Sequence, residues 1–225
     1  MLIALDLDGT LEDSRADMVA AVQRVRAALG LSARPDADVQ PFVNAGMDAL
    51  YRACFDDLLA GGDATTRFAR VRGAYEADYG DHIAVQTRLY AGMEAALGAL
   101  AGQGRLACVT NKPERLSQRL LEALGVAGHF GAVIGGDTCA ESKPSPLMLQ
   151  EAARRVGLDG GRGTAFMIGD TAADIRMGKS HGAVNVWCAW GYAASVPEPA
   201  PDHVARAPRD LVEIVKTCTD RQAPT

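Results

Sequence analysis

The chain opens on a short apolar run, Leu2-Ile-Ala-Leu5, which stops at Asp6-Leu-Asp8-Gly9-Thr10. An apolar run closed by a glycine predicts a buried strand and a turn. The pattern then changes. Over residues 16–29, Met18, Val22, Val25 and Leu29 recur at three- and four-residue spacing and Gly30 ends the run, which predicts a helix. Residues 35–41 read as a connector between prolines. Residues 48–59 and 65–79 read as two more helices, parted by Gly61-Gly62. No strand is predicted from residue 14 to about residue 88.

Beyond that point strands and helices alternate. Helices are predicted at 93–101, 114–124, 146–156 and 210–217, and buried strands at 105–110, 132–135, 164–168 and 185–189. Alternation of this kind implies right-handed crossovers and a parallel sheet with helices on both faces, a Rossmann-like α/β fold. The helical block is too long for one crossover helix and is read as an inserted domain. The expected organisation is a core of residues 1–13 and 89–219, a helical insertion at 14–88, and a disordered tail at 220–225.

The polar residues collect at the ends of these strands. Strand one ends in Asp6 and Asp8, the next in Thr110-Asn111-Lys112, and the fourth in Gly169-Asp170 followed by Asp174; Lys143-Pro144 lies in the loop after the third. In an open parallel α/β sheet these positions share the edge where ligands bind. Two acids spaced i, i+2 at a buried strand end need a cation. A carboxylate is ionised at neutral pH, so Asp6 suits nucleophilic attack on phosphorus. Mg²⁺ favours oxygen ligands, which Asp6, Asp170 and one backbone carbonyl can supply. Asp8 is placed to protonate a leaving oxygen and then to activate water, with Thr110 and Lys143 holding phosphoryl oxygens. Taken singly, each feature also has an ordinary structural reading: a helix cap at Thr110-Asn111, a turn lysine at Lys143, a helix N-terminus at Asp170. Their joint order at successive strand ends favours a site.

Composition narrows the classes. A net charge of -5 and a pI near 5.4 argue against a nucleic-acid binder that works through a basic surface. All four lysines follow residue 111, whereas arginines are scattered throughout, so a lysine at a strand end is informative. Five widely spaced cysteines, an odd number with no CxxC, fit reduced thiols better than a disulfide framework. No leader and no membrane-spanning run is found, and a cytoplasmic protein is expected.

Asp6-Leu-Asp-Gly-Thr10, Thr110, Lys143 with Pro144, and Gly169-Asp170-Thr-Ala-Ala-Asp174 resemble the four signature motifs of the haloacid dehalogenase-like hydrolase superfamily. Leu89-Tyr-Ala-Gly-Met93, Val109-Thr-Asn-Lys-Pro113, Gly135-Gly-Asp137, Lys143-Pro-Ser-Pro146 and Gly191-Tyr192 resemble its phosphoglycolate phosphatase branch. The resemblance covers essentially the whole chain. It implies a Mg²⁺-dependent phosphatase acting through an aspartyl-phosphate, with the insertion as a C1 cap. By the same resemblance Asp6 is nucleophile and Asp8 acid/base, and Asp6, Asp170 and the Asp8 carbonyl hold the metal with Asp174 in support. Thr110, Asn111 and Lys143 would bind phosphate. The loop Val43-Asn44-Ala45-Gly46 resembles the substrate-facing loop of such caps, so Gly46 is a candidate contact. Arg52 either reads a substrate anion or is a surface arginine.

The implied partner is a small phosphorylated metabolite, with no nucleic acid and no membrane, for a monomer or homodimer. Asp8 favours phosphate chemistry, because the dehalogenases that give the superfamily its name lack this acid. A β-phosphoglucomutase-like phosphotransferase remains open, as does a non-catalytic binding protein on the same fold. Glu12 follows the motif where relatives carry an apolar residue. It either faces the pocket, where it would repel a substrate carboxylate, or points to solvent or pairs with an arginine of the insertion.

Overall fold

The structure, a computed structural model, describes residues 1–43, 46–60, 63–158 and 164–221. Its elements run β1 (Leu2–Leu5), β2 (Glu12–Asp13), α1 (Arg15–Ala28), α2 (Asp36–Val43), α3 (Met47–Cys54), α4 (Asp56–Leu59), α5 (Ala64–Asp81), β3 (Arg88–Leu89), α6 (Met93–Ala101), β4 (Arg105–Val109), α7 (Glu114–Ala123), β5 (Phe130–Ile134), α8 (Leu147–Arg155), β6 (Ala165–Gly169), α9 (Ala172–His181), β7 (Val184–Cys188), β8 (His203–Ala205) and α10 (Pro208–Asp220). Two compact units result, Met1–Asp13 with Leu89–Thr225, and Ser14–Arg88.

The first unit is built on a six-stranded sheet of order β5-β4-β1-β6-β7-β8. Every adjacent pair is parallel. From β1 the chain proceeds outward through β4 and β5, then crosses back to β6, β7 and β8 on the other side. That reversal makes a topological switch point beside β1, so the strand ends on either side open a crevice there. Leu2, Ala4, Ala107, Val109, Ile134 and Met167 face one way and pack with Met148, Leu149 and Ala152 of α8 and Met177 of α9. The alternate residues Ile3, Leu5, Leu106, Cys108, Phe166 and Ile168 are equally buried, so both faces are covered. The Rossmann-like fold expected from the alternation is the fold observed.

Besides the unpredicted two-residue β2, three elements of this unit differ from the expectation. Strand β8 is not predicted: it is a three-residue edge, paired with β7 from Val186↔His203 to Cys188↔Ala205. Helix α9, opened by the Thr171 cap and closed at Gly182, is absent from the predicted helices, although the alternative reading of Asp170 as a helix N-terminus points to its start. The predicted tail begins too early, since α10 continues through Asp220 with Thr219 Oγ1 donating to the Val215 carbonyl. Residues 222–225 of that tail lie outside the described residues.

Apart from Arg88, which opens β3, the regular structure of the second unit is helical across its described residues. Residues 35–41, read as a connector, belong largely to α2 despite Pro41 inside it. The helix persists because Val39 and Val43, one turn apart, are both buried, and because Asp36 and Asp38 suit its N-terminal dipole. The predicted helix at 48–59 divides into α3 and α4 at Phe55, which is fully buried. Tyr51 and Tyr75 meet edge to face at 5.3 Å, and Tyr75 stacks on Tyr79. Buried Arg26 donates to the Cys54 and Ser32 carbonyls and pairs with Asp57 at 2.6 Å, so its charge is compensated. Buried Asp17 accepts from the Gln86 and Thr87 amides and the Thr87 hydroxyl, tying α1 to the end of the unit. Asn44, Ala45, Gly61 and Gly62 lie outside the described residues. Among the described residues no helix is long and apolar enough to cross a membrane.

Candidate active site

Four strand ends build the site. Asp6 extends β1, its amide donating to the Ile168 carbonyl at 2.9 Å, and buried Leu7 and Leu11 pin the loop that follows. Gly9 turns that loop at φ +82°. A Cβ there would come within 2.6 Å of Asp170 Oδ2, so only glycine lets the β1 loop and the Asp170 carboxylate approach.

At the end of β4, Thr110 is buried and its hydroxyl accepts from the Lys112 amide at 3.2 Å. The Asn111 side-chain oxygen accepts from the Lys143 amide at 3.1 Å, which fixes where Lys143 leaves the loop after β5. The Lys143 ammonium then lies 2.6 Å from Asp6 Oδ1 and 2.7 Å from Asp174 Oδ1. After β6, Asp170 Oδ1 accepts from the Thr10 hydroxyl at 3.4 Å and Oδ2 from the Tyr192 amide at 2.7 Å. Asp174 closes a capping box with Thr171, its Oδ2 accepting from the Thr171 amide and hydroxyl. The predicted residues Asp6, Thr110, Asn111, Lys143, Asp170 and Asp174 are thus brought together. Asp8 joins them through Lys112, whose Nζ is 2.5 Å from Asp8 Oδ1.

The electrostatics call for a cation. Oxygens of Asp6, Asp170 and Asp174 lie within 4.8 Å of one another, and all three residues are buried. Four carboxylates set against Lys112 and Lys143 leave two negative charges, the deficit one divalent ion would fill. Burial pushes the Asp6 carboxyl up and Asp174 adds repulsion, while Lys143 opposes both. Burial and Asp174 together raise Asp170 to about 6, against the Tyr192 hydrogen bond. Burial alone would lower the Lys143 amine, but Asp174 and Asp6 override it and hold it above its ordinary value. An all-oxygen set of buried carboxylates fits Mg²⁺ better than a thiophilic metal.

The description "haloacid dehalogenase-like hydrolase" matches residues 1–182. The chain belongs to the haloacid dehalogenase-like hydrolases. It is 38% identical over 192 residues to the phosphoglycolate phosphatase of Neisseria meningitidis, covering 84% of this chain and 80% of that one. It is 32% identical over 215 residues to that of Aquifex aeolicus, covering 95% and 96%. Among solved structures, "a predicted phosphoglycolate phosphatase" from Haemophilus somnus superposes with a TM-score of 0.82 at 28% identity, over 95% of this chain and 96% of that one. Among the haloacid dehalogenase-like hydrolases the chain is a phosphatase.

Within this hydrolase, two groups lie in or beside motifs quoted from the sequence but are assigned no function by it. Lys112 was one polar residue among several at a strand end; its rarity in the chain was the available signal. The segment after β7 also shapes the site: Trp190 Nε1 donates to the Thr10 carbonyl at 3.1 Å, and the Tyr192 hydroxyl to Asp13 at 3.3 Å. Gly46 and Arg52 belong to the helical unit. Gly46 precedes α3 at φ +93°, and exposed Arg52 lies over the Phe68 ring at 4.5 Å.

Asp170 gives this hydrolase a pH signature when metal-free. Its carboxyl is about 6 folded against an ordinary 3.8, so the folded chain holds a proton that the unfolded chain releases between those values. Stability from this group is present below the lower value and is lost as pH rises through the upper one, by on the order of 2–3 kcal/mol. Calorimetry in chelator should show melting fall from pH 4 to 6.5, and Mg²⁺ should restore more of it at pH 7 than at pH 5. A Mg²⁺ shift independent of pH would contradict the assignment.

Proposed function

We propose that this chain is a Mg²⁺-dependent phosphomonoester hydrolase that works through an aspartyl-phosphate on Asp6, with a small phosphate ester of the phosphoglycolate kind as substrate. The observation that carries the reading is the division of the two acids on one loop. Asp6 is buried and paired with Lys143, whereas Asp8 is more exposed and paired with Lys112. Distinct environments for two neighbouring carboxylates suit distinct roles.

On this reading Asp6 attacks phosphorus, the bond to the ester oxygen breaks, and Asp8 gives that oxygen its proton. Asp8 then takes a proton from water as the water attacks the aspartyl-phosphate, releasing phosphate and restoring Asp6. Thr110, Asn111 and Lys143 orient the phosphoryl oxygens. Asp6, Asp170 and the Asp8 carbonyl would hold Mg²⁺, which when bound offsets repulsion between carboxylate and phosphate. Asp174, engaged by Thr171 and Lys143, keeps the lysine aimed at Asp6. The helical unit serves as a C1 cap, with Gly46 and Arg52 as its candidates for substrate contact. Support for the phosphoglycolate kind comes from the names of the relatives, and Glu12 bears on it. Glu12 is fully buried, which removes the solvent-facing reading.

The test is phosphate release with Mg²⁺ from a panel of phosphoglycolate, sugar phosphates, nucleoside monophosphates and β-glucose-1-phosphate, run on wild type and Glu12→Val. Mg²⁺-dependent release with phosphoglycolate among the best substrates is expected. Glucose-6-phosphate formed from β-glucose-1-phosphate without phosphate release would make the chain a mutase instead. If Glu12 faces the substrate, Glu12→Val should favour carboxylated phosphates over neutral ones; an unchanged ranking removes it from specificity.

A further inference from the structure

Lys112 is a fully buried lysine outside the phosphate-binding set, and its backbone is held unusually firmly. Its amide donates to the Thr110 hydroxyl, and its carbonyl accepts from the Gly136 amide at 3.0 Å and the Ser117 hydroxyl at 3.4 Å. Gly136 lies so close that a Cβ there would collide with the Asn111 carbonyl. The turn after β4 is therefore packed directly onto the loop after β5. From this base the side chain, 1% exposed, reaches Asp8 Oδ1 at 2.5 Å, while the Asp8 side chain is 15% exposed. Lys143 answers a different pair of acids, Asp6 and Asp174.

A buried ammonium costs several kcal/mol of desolvation, so it persists only where a partner compensates it. Here the compensating partner sits on the β1 loop, and the pair joins the β4 turn to that loop across the strand ends. A proton donor must present its oxygen to the departing atom within a few tenths of an ångström, which needs a fixed carboxylate plane. We propose that Lys112 is the positioning residue for Asp8, holding Oδ1 so that the carboxyl faces the leaving-group oxygen. The inference rests on the acid/base reading of Asp8 given above.

The leaving group supplies the test. An alkyl alcohol must be protonated as it departs, whereas p-nitrophenolate leaves without a proton. The kcat/KM value reports steps through leaving-group departure, so it isolates the half-reaction in which Asp8 is the acid. Lys112→Met should lower kcat/KM for an alkyl phosphate at least about tenfold more than for p-nitrophenyl phosphate, since general acid catalysis is worth roughly 10²–10⁴. Asp8→Ala, measured alongside, should show the same split. A split in Asp8→Ala with equal losses on both substrates in Lys112→Met overturns the positioning role alone. No split in Asp8→Ala overturns the acid/base reading itself. Lys112→Arg keeps the cation at altered reach and covers the case in which Lys112→Met does not fold. It should give a smaller split in the same direction, and equal losses on both substrates would sink the proposal.

Discussion

Asp6→Asn should abolish turnover and leave a protein that folds at least as well as wild type when metal-free. The amide is close to isosteric with the carboxylate, and the backbone hydrogen bond from residue 6 to Ile168 is untouched by the change. What disappears is the proposed nucleophile and one proposed metal donor. The burial that raises the Asp6 carboxyl is a cost of keeping a charge there, and asparagine does not carry it. Lys143 loses one carboxylate but keeps Asp174 at 2.7 Å, so its own charge stays compensated. Phosphate release below about a hundredth of wild type is expected, together with loss of any acid-stable, base-labile phosphoprotein. Thermal melting in chelator should be unchanged or higher. Activity above about a hundredth of wild type would rule out covalent catalysis by Asp6.

The site was legible where chemistry and pattern coincide. The runs ending in Asp6 and in Asp170 are strongly apolar and then abruptly acidic, and a buried parallel strand has few other ways to carry acids at its end. Lys112 and Glu12 were not legible for the opposite reason. A charged residue in a turn ordinarily reads as solvated, and only packing shows otherwise: Gly136 lets the β5 loop close over the β4 turn, and the β1 loop folds back through the Gly9 amide and Glu12 carbonyl at 2.9 Å. The same distinction applies to the fold. Helix α6 was predicted to its boundaries because Gly92 and Gly102 bracket a strongly helix-forming run. Strand β8 was not, because a three-residue edge exists only by virtue of the ladder β7 offers it, with the Asp202 amide on the Asn185 carbonyl and the Ala189 amide on Ala205. Helix α2 shows burial overriding a proline that reads as a breaker.

Lys143→Met should have the largest effect on stability of any single change in the site. Its ammonium is 2% exposed and lies between Asp6 and Asp174, with Asp170 close by. Methionine fills nearly the same volume without the charge, so the loss is electrostatic rather than a cavity. Removing one partner from a buried pair costs about 3–5 kcal/mol, which for a chain of this size lowers melting by on the order of 10 °C. The abandoned carboxyls escape part of that cost by taking up protons, so the deficit should deepen from pH 5 to pH 8. Four acids against Lys112 alone leave three negative charges where wild type has two, so Mg²⁺ should stabilise the variant more than wild type. Turnover should not return with the metal, because in the proposed mechanism the lysine also binds the phosphoryl group whose charge grows in the transition state, a contribution of roughly 10²–10³ in rate. Calorimetry with and without Mg²⁺, paired with phosphate release, separates the two roles. Wild-type melting in chelator would show that Lys143 does not balance the buried acids. Activity restored by Mg²⁺ would show that charge balance was its whole contribution.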